Sequence, residues 1–225
     1  FKLIRLHLNF AMGKLCIITV SLISFVFTQI SNGYYLFSPV ISFPEENQLY
    51  STFLMDTSGI IIHEWAHSTP TASTPYLLPD STLLRPYRID PPMFDAGGAG
   101  GGIEILSWEN GILWEYELMN TEASQHHDIE PLLNGNILIL SWDRKSQAEA
   151  MAAGKASHTG DLWSEKIIEI VPIYPDSGLV VWEWYLWDHL IQDHDEGINH
   201  YGNISQNSGL LDINYALLSN EGPLP

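Results

Sequence analysis

The chain has 225 residues and a formal net charge of −18, and its length allows one or two ordinary domains. All 27 acidic side chains follow residue 44, so the rest of the chain is strongly acidic. Such a surface repels nucleic-acid phosphates and anionic lipid, which excludes nucleic acid as a partner.

The first predicted element is an apolar stretch at residues 15–30, which follows Lys14 and precedes small and polar residues. A basic segment, an apolar core and a polar end are typical of a secretory signal peptide. We therefore expect residues 1–33 to comprise an upstream extension and a signal peptide at about 12–33, which directs the protein to the periplasm or outside the cell. An uncleaved anchor and a buried helix are the alternatives, but Thr and Ser interrupt the stretch, and a membrane span needs about 20 apolar residues. After removal of the leader, we expect no membrane span.

The region at 34–225 contains no cysteine, because the only one, Cys16, lies in the leader. A disulfide framework and a thiolate metal site are therefore excluded. Short runs of β-favouring residues alternate here with turns rich in Gly, Pro, Asn and Asp, which predicts an all-β domain.

Two kinds of segment repeat along this region. Residues 78–84 (LPDSTLL) match residues 132–138 (LLNGNIL) without a gap, and each predicts a strand, a tight polar turn and a second strand. A turn glycine followed by an apolar strand with Glu beside aromatic residues occurs three times, at 59–65 (GIIIHEW), 111–116 (GILWEY) and 178–184 (GLVVWEW). The repeat length is roughly 50 residues, which is typical of a β-propeller blade.

The longer second repeat contains an insertion at 144–156 (RKSQAEAMAAGKA), whose helix-favouring composition predicts a short helix. We therefore predict an all-β fold: a β-propeller with four-stranded antiparallel blades. Part of one blade and about two more fit into 34–225. Since a propeller ring needs roughly four or more blades, we expect an incomplete β-propeller domain.

The most informative polar motif is QHHDIEP at 125–131, just before an inner hairpin, where propeller loops enter the central channel. An imidazole of His126 or His127 there could act as a nucleophile, donate a proton or bind an anion. The adjacent carboxylate of Asp128 could fix one tautomer. The three side chains could equally serve only to cap a turn.

Other polar motifs indicate no metal and no cofactor. His63 and His67 are four residues apart, but in a strand this spacing places them about 13 Å from each other, and no H-E-x-x-H motif accompanies them. Residues 187–196 are rich in carboxylates but lack the regular oxygen spacing of a calcium loop, so we expect a turn or pocket wall there. The glycine-rich residues 96–102 precede a strand rather than a helix, which predicts a flexible connection instead of a phosphate loop.

The motif at 126–136, together with 163–170 (WSEKIIEI) and 184–193 (WYLWDHLIQD), resembles the arylsulfate sulfotransferase family of secreted bacterial proteins. The likeness covers roughly residues 50–215. It implies a six-bladed β-propeller that transfers a sulfuryl group from a phenolic sulfate donor to a phenol acceptor. It also implies a sulfohistidine intermediate and no nucleotide donor.

Only the His-His-Asp motif corresponds to site residues of that family. The resemblance assigns His127 to a first channel histidine, with His126 as the alternative, for sulfuryl binding or proton donation. It places the nucleophile, a further histidine and an arginine in later blades beyond Pro225, so we expect this chain to be inactive alone. The alternatives are a non-catalytic secreted propeller for glycan binding or adhesion, and a quinone-dependent propeller dehydrogenase.

Overall fold

The computed structural model of the chain describes residues 33–39, 49–94 and 96–215. The predicted upstream extension and signal peptide lie outside these residues, apart from Gly33. Within the described ranges, no helix is both long and apolar enough to cross a membrane.

The first sheet has three antiparallel strands in chain order. They are β1 (Tyr34–Phe37), β2 (Tyr50–Asp56) and β3 (Ile61–His67). The turn between β2 and β3 contains Gly59 at φ +83°, a left-handed conformation that glycine adopts without a steric penalty. Its amide donates to the carbonyl of Asp56, which closes the hairpin.

Two further sheets each contain four antiparallel strands in chain order. The second sheet comprises β4 (Tyr76–Leu77), β5 (Leu83–Arg88), β6 (Gly101–Leu106) and β7 (Ile112–Glu117). The third comprises β8 (Ala123–Pro131), β9 (Ile137–Lys145), β10 (Leu162–Ile173) and β11 (Ser177–Tyr185). The prediction of an all-β fold with four-stranded antiparallel sheets is therefore confirmed.

The predicted helical insertion is also confirmed. Helix α1 (Gln147–Ala152) lies between β9 and β10, and begins with a capping box in which Ser146 and Glu149 bond reciprocally. After β11 the chain forms short 3₁₀ helices and two parallel strands. These are the 3₁₀ helices Leu186–His189 and Ile204–Gln206 and the strands β12 (Leu190–Ile191) and β13 (Leu211–Asp212).

The three sheets pack face to face in chain order. Buried residues of the first sheet contact one face of the second sheet; this cluster is Leu54, Trp65, Leu83 and Leu106. The opposite face of the second sheet packs on the third through Leu84, Ile103, Ile105, Trp114, Ile129, Ile137, Ile139, Ile168 and Ile170. The second sheet is thus covered on both faces, and its burial is driven by apolar contact.

The outer hairpins of the three sheets share an irregularity. A register shift occurs in each, between Leu54 and Met55, between Ile105 and Leu106, and between Glu169 and Ile170. On the last strand of each hairpin, the first paired residue after the shift is His63 in the first sheet, Trp114 in the second and Trp182 in the third. In the first two sheets a ring nitrogen of this residue lies 2.8 Å from a backbone carbonyl in the outer hairpin of the next sheet, that of Trp108 or Ser177 respectively. Trp182, by contrast, is 46% exposed.

Candidate functional site

The histidine motif lies in a bulge of β8, the edge strand of the third sheet. Pairing of β8 with β9 stops after Gln125 and resumes at Ile129. Within the bulge, His127 adopts φ +51°, a left-handed conformation that is uncommon for a residue with a side chain. The bulge turns the rings out of the regular ladder. Such bulges commonly redirect side chains at the sites where proteins act.

The glycine-rich segment at 96–102 packs directly against this bulge. Ala99 forms an antiparallel bridge with His126, and the backbone amide of His127 donates to the carbonyl of Gly98 over 2.7 Å. A Cβ at Gly98 would lie 2.5 Å from Nδ1 and from Nε2 of His127, so the ring requires glycine there. The interpretation of this segment as a flexible connection is wrong, because its backbone is paired and lies against the His127 ring.

A fully buried glutamine fixes the glycine-rich segment from below the bulge. The side-chain oxygen of Gln125 accepts the backbone N–H of Gly101 over 2.8 Å. The backbone carbonyl of Gln125 accepts the backbone N–H of Gly100 over 3.2 Å. The edge strand and the loop are therefore joined at Gln125, just before the histidines, and at the backbone of His127.

His126 is the buried member of the pair and is only 3% exposed. Its Nε2 lies 2.7 Å from Oε2 of Glu165 on β10, and its Nδ1 lies 2.8 Å from Nδ1 of His127. Its ring stacks on Trp142 with centroids 4.2 Å apart and planes 12° apart. These three contacts fix the position and the orientation of the His126 ring.

Three aromatic side chains form a cluster beside the histidines: Phe94, Trp142 and Trp163. Phe94 stacks on Trp163 with centroids 4.9 Å apart and meets Trp142 edge-on at 4.8 Å. Trp142 is buried, whereas the other two are half-buried. The cluster therefore offers partly accessible aromatic surface near an imidazole pair, an arrangement suited to contact with an aromatic ring.

Asp128 is exposed and contacts neither imidazole. Its Oδ1 accepts the hydroxyl of Tyr76 over 3.3 Å and the backbone N–H of Ile129 over 3.0 Å. Burial, together with the nearby carboxylates of Asp128 and Glu130, raises the pKa of the Tyr76 hydroxyl to about 12. The carboxylate that contacts the pair is instead that of Glu165, a residue that lies 39 positions from His126 in the sequence.

His63 and His67 lie on the same strand in different surroundings. His63 stacks on Trp108 at 3.9 Å, and His67 is buried with its Nε2 2.8 Å from the hydroxyl of Thr52. The segment 187–196 contains a turn rich in carboxylates. The buried side chain of Gln192 stabilises this turn by hydrogen bonds to its backbone groups. Among the described residues, no group of three or more His, Cys, Asp or Glu side chains could hold a metal ion.

A second polar cluster is buried between the first and second sheets. Arg85, with no exposed surface, pairs with Glu104 and donates to the carbonyl of Thr69 over 2.9 Å. His67 lies beside this pair, and burial together with the Arg85 charge lowers the pKa of its imidazole to about 3. Sequence analysis could not find this cluster, because His67, Arg85 and Glu104 lie on three different strands that meet only in the folded chain.

A groove of about 550 Å³ opens between the inner hairpins of the second and third sheets. Its lining is mainly apolar and includes Tyr76, Leu84, Ile105, Leu132 and Tyr174. Neither histidine of the β8 bulge lines it. We place the candidate site at the bulge, because the convergent polar groups and the open ring nitrogen are there.

Comparison with known proteins adds no assignment: no family model, no curated protein and no solved structure matches the chain. Of the residues that build the site, sequence reasoning identified His126 and His127, whereas Asp128, which it also predicted, contacts Tyr76 instead of the pair. It missed Glu165, Phe94 and Trp142 as neighbours of the pair. Residues 163–170 entered the sequence analysis only as part of the family resemblance, and nothing local to them indicates a contact with β8.

Proposed function

We propose that the three sheets are consecutive blades of a β-propeller. Support comes from three features: the antiparallel strands of each sheet follow one another in chain order, register shifts occur at corresponding places in the outer hairpins, and the first two sheets each contact the outer hairpin of the next sheet. The first strand of each blade then lies innermost, so β8 faces the central channel. Trp182 would contact the outer turn of a further blade in the way that Trp114 contacts Ser177.

Within that propeller, we propose that the bulge of β8 serves sulfuryl transfer from a phenolic sulfate ester to a phenol acceptor. One observation underlies the proposal: His127 has its Nδ1 held by His126, while its Nε2 has no hydrogen-bond partner among the described residues. A half-fixed imidazole on an innermost strand is placed to meet a ligand in the channel.

The chemistry requires donors of this kind. When the ester bond breaks, negative charge develops on the phenolic oxygen and on the sulfuryl oxygens, and preorganised N–H donors stabilise it. In its protonated form, His127 would donate from Nε2 to a sulfuryl oxygen or protonate the leaving oxygen. The cluster of Phe94, Trp142 and Trp163 would contact the aromatic ring of donor or acceptor. The attacking histidine is expected from a further blade, as the family resemblance implies.

The test is sulfuryl transfer from 4-nitrophenyl sulfate to a phenol, measured as nitrophenol release and aryl sulfate formation with the product of the complete gene. We expect His127→Ala to lower the rate roughly 100-fold or more, the usual contribution of a positioned acid. The matched control is His194→Ala, since this exposed histidine lies in the segment after β12 and should leave the rate unchanged.

Equal rates for His127→Ala and the unsubstituted protein would overturn the assigned role of His127. If the unsubstituted protein transferred no sulfuryl group to any phenol, the non-catalytic alternative, a secreted propeller for glycan binding or adhesion, would be favoured.

A further inference from the structure

A chain of hydrogen bonds connects Glu165 to the outer face of the histidine pair. Glu165 Oε2 lies 2.7 Å from Nε2 of His126, and Nδ1 of His126 lies 2.8 Å from Nδ1 of His127. Both distances are those of good hydrogen bonds. The three side chains come from β10 and from the bulge of β8, so the sheet itself holds them in line.

When both imidazoles are neutral, only one placement of their protons fits these two hydrogen bonds. An ionised carboxylate only accepts, so the hydrogen between Glu165 and His126 belongs to Nε2 of His126. A neutral ring with its proton on Nε2 has a lone pair on Nδ1, which must therefore accept from Nδ1 of His127. The proton of His127 is then on Nδ1, and its Nε2 presents a lone pair.

We propose that Glu165 is a positioning residue, which through His126 fixes His127 in its Nδ1–H tautomer. Free imidazole side chains favour the other tautomer, so the bonding chain must hold this one in place. The deduction of the tautomer stands on geometry alone, whereas its use in sulfuryl transfer rests on the function proposed above.

The surroundings of His126 hold its ring in the orientation that these two hydrogen bonds require. The ring is 3% exposed and stacks on Trp142 with an interplanar angle of 12°. A 180° flip about the Cβ–Cγ bond would replace both ring nitrogens by carbon atoms at the two bonded positions and would break both contacts. His126 therefore acts as a fixed relay between a carboxylate and the outer imidazole.

The relay gives His127 a defined role in proton transfer. A proton taken up from solvent at Nε2 charges the pair, and Glu165 balances that charge through His126. When the attacking histidine of the proposed further blade forms its bond to sulfur, the sulfur–oxygen bond of the ester breaks. The electron pair of the broken bond goes to the phenolic oxygen, and the proton on Nε2 of His127 moves to that oxygen. The pair returns to its neutral form, with Nε2 again unprotonated.

Ring nitrogen signals of the ¹⁵N-labelled full chain test the inference without an activity assay. At about pH 8.5, where ordinary imidazoles with a pKa near 6.5 are neutral, long-range ¹H–¹⁵N spectra show which nitrogen carries the proton. We expect His127 to be protonated on Nδ1 and His126 on Nε2. In Glu165→Leu, both should change to the opposite tautomer, because His126 loses its acceptor and turns donor towards His127.

Two further variants separate this role from a merely structural one. Glu165→Gln keeps an amide oxygen that accepts from Nε2, so it should restore the unsubstituted tautomers. Asp128→Asn is the matched control: this carboxylate adjoins the pair in sequence but contacts Tyr76, and its loss should move neither tautomer.

An Nε2–H tautomer of His127 in the unsubstituted protein would overturn the inference, even if Glu165→Leu failed to fold. Unchanged tautomers in a folded Glu165→Leu variant would do the same. These failures differ from failure of the proposed function: the expected tautomers with no effect of His127→Ala on transfer would refute the function and leave the Glu165 assignment intact.

Discussion

At the scale of single residues, His127 and Gly98 constrain each other. The histidine holds a left-handed backbone within the bulge, and its ring lies against the α-carbon of the glycine. A left-handed conformation costs a residue with a side chain roughly 1–3 kcal/mol, so the surrounding contacts must stabilise it. The amide of His127 bonded to the carbonyl of Gly98 is one such contact.

We expect Gly98→Ala to destabilise the protein by about 1–3 kcal/mol and to displace the His127 ring, since the new Cβ would overlap ring atoms and the backbone is at φ +79°. Urea unfolding measures the first effect. The neighbouring Gly97→Ala is the control, because a Cβ there meets nothing within 4 Å. It should change stability by no more than about 0.5 kcal/mol. Similar losses in the two variants would contradict the close contact.

At the scale of elements, local patterns predicted the hairpins but not the register in which their strands pair. The motif Ile-Glu-Ile occurs at 103–105 on β6 and at 168–170 on β10. Leu83, which the repeat aligns with Ile137, pairs with Leu106, one residue beyond the first motif. Ile137 pairs with Ile170, the last residue of the second motif. The two motifs are therefore one residue out of register. This shift changes the face that each glutamate occupies. Glu104 is buried beside Arg85, whereas Glu169 bonds Asn136 near the surface.

The sequence could predict strands, polar turns and the helix because each depends on neighbours along the chain. Glu165 meets His126, and Phe94 meets Trp163, only after sheets have formed and packed. Contacts of that kind depend on register, and a shift of one residue moves a side chain to the other face. The histidine pair was found because its two members are adjacent. Its relay partner could not be found in the same way.

The two equivalent tryptophans of the outer hairpins should differ in their contribution to stability. Trp114 has no exposed surface and donates to the carbonyl of Ser177, so Trp114→Phe should cost about 1–3 kcal/mol. Trp182 is 46% exposed, and Trp182→Phe in this chain should cost no more than about 0.5 kcal/mol. Thermal and urea unfolding compare them. Equal costs would argue against the assignment of Trp182 to an uncovered face.

At the scale of the whole molecule, a buried histidine lies where the first two sheets meet. His67 stays neutral because burial and Arg85 lower its pKa to about 3. The unfolded chain, with an ordinary imidazole pKa of about 6.5, binds more protons than the folded chain between these two values. Stability should therefore fall as the pH is lowered through this window, by up to about 1.4 kcal/mol per pH unit from this residue.

Substitution of this histidine isolates its contribution. His67→Gln keeps a side-chain group that can bond Thr52 but does not titrate, so the variant should lose less stability between about pH 6.5 and pH 5 than the unsubstituted protein. Urea unfolding at intervals across this range gives the comparison. Parallel curves for the two proteins would show that His67 is not the neutral, buried group described above.

The packing order of the sheets has a further consequence for local opening. Among the described residues, the second sheet packs on another sheet through both faces, whereas the first and third sheets each share one such interface, so either can separate with the loss of a single interface. Structures built from stacked units have stabilities that approximate a sum of unit and nearest-neighbour terms. Opening free energies should thus be graded along the stack. In a hydrogen-exchange measurement we expect the backbone amides of β5 and β6 to exchange most slowly with solvent. The amides of β1 and β11 should exchange faster, because unfolding should begin at these outer strands.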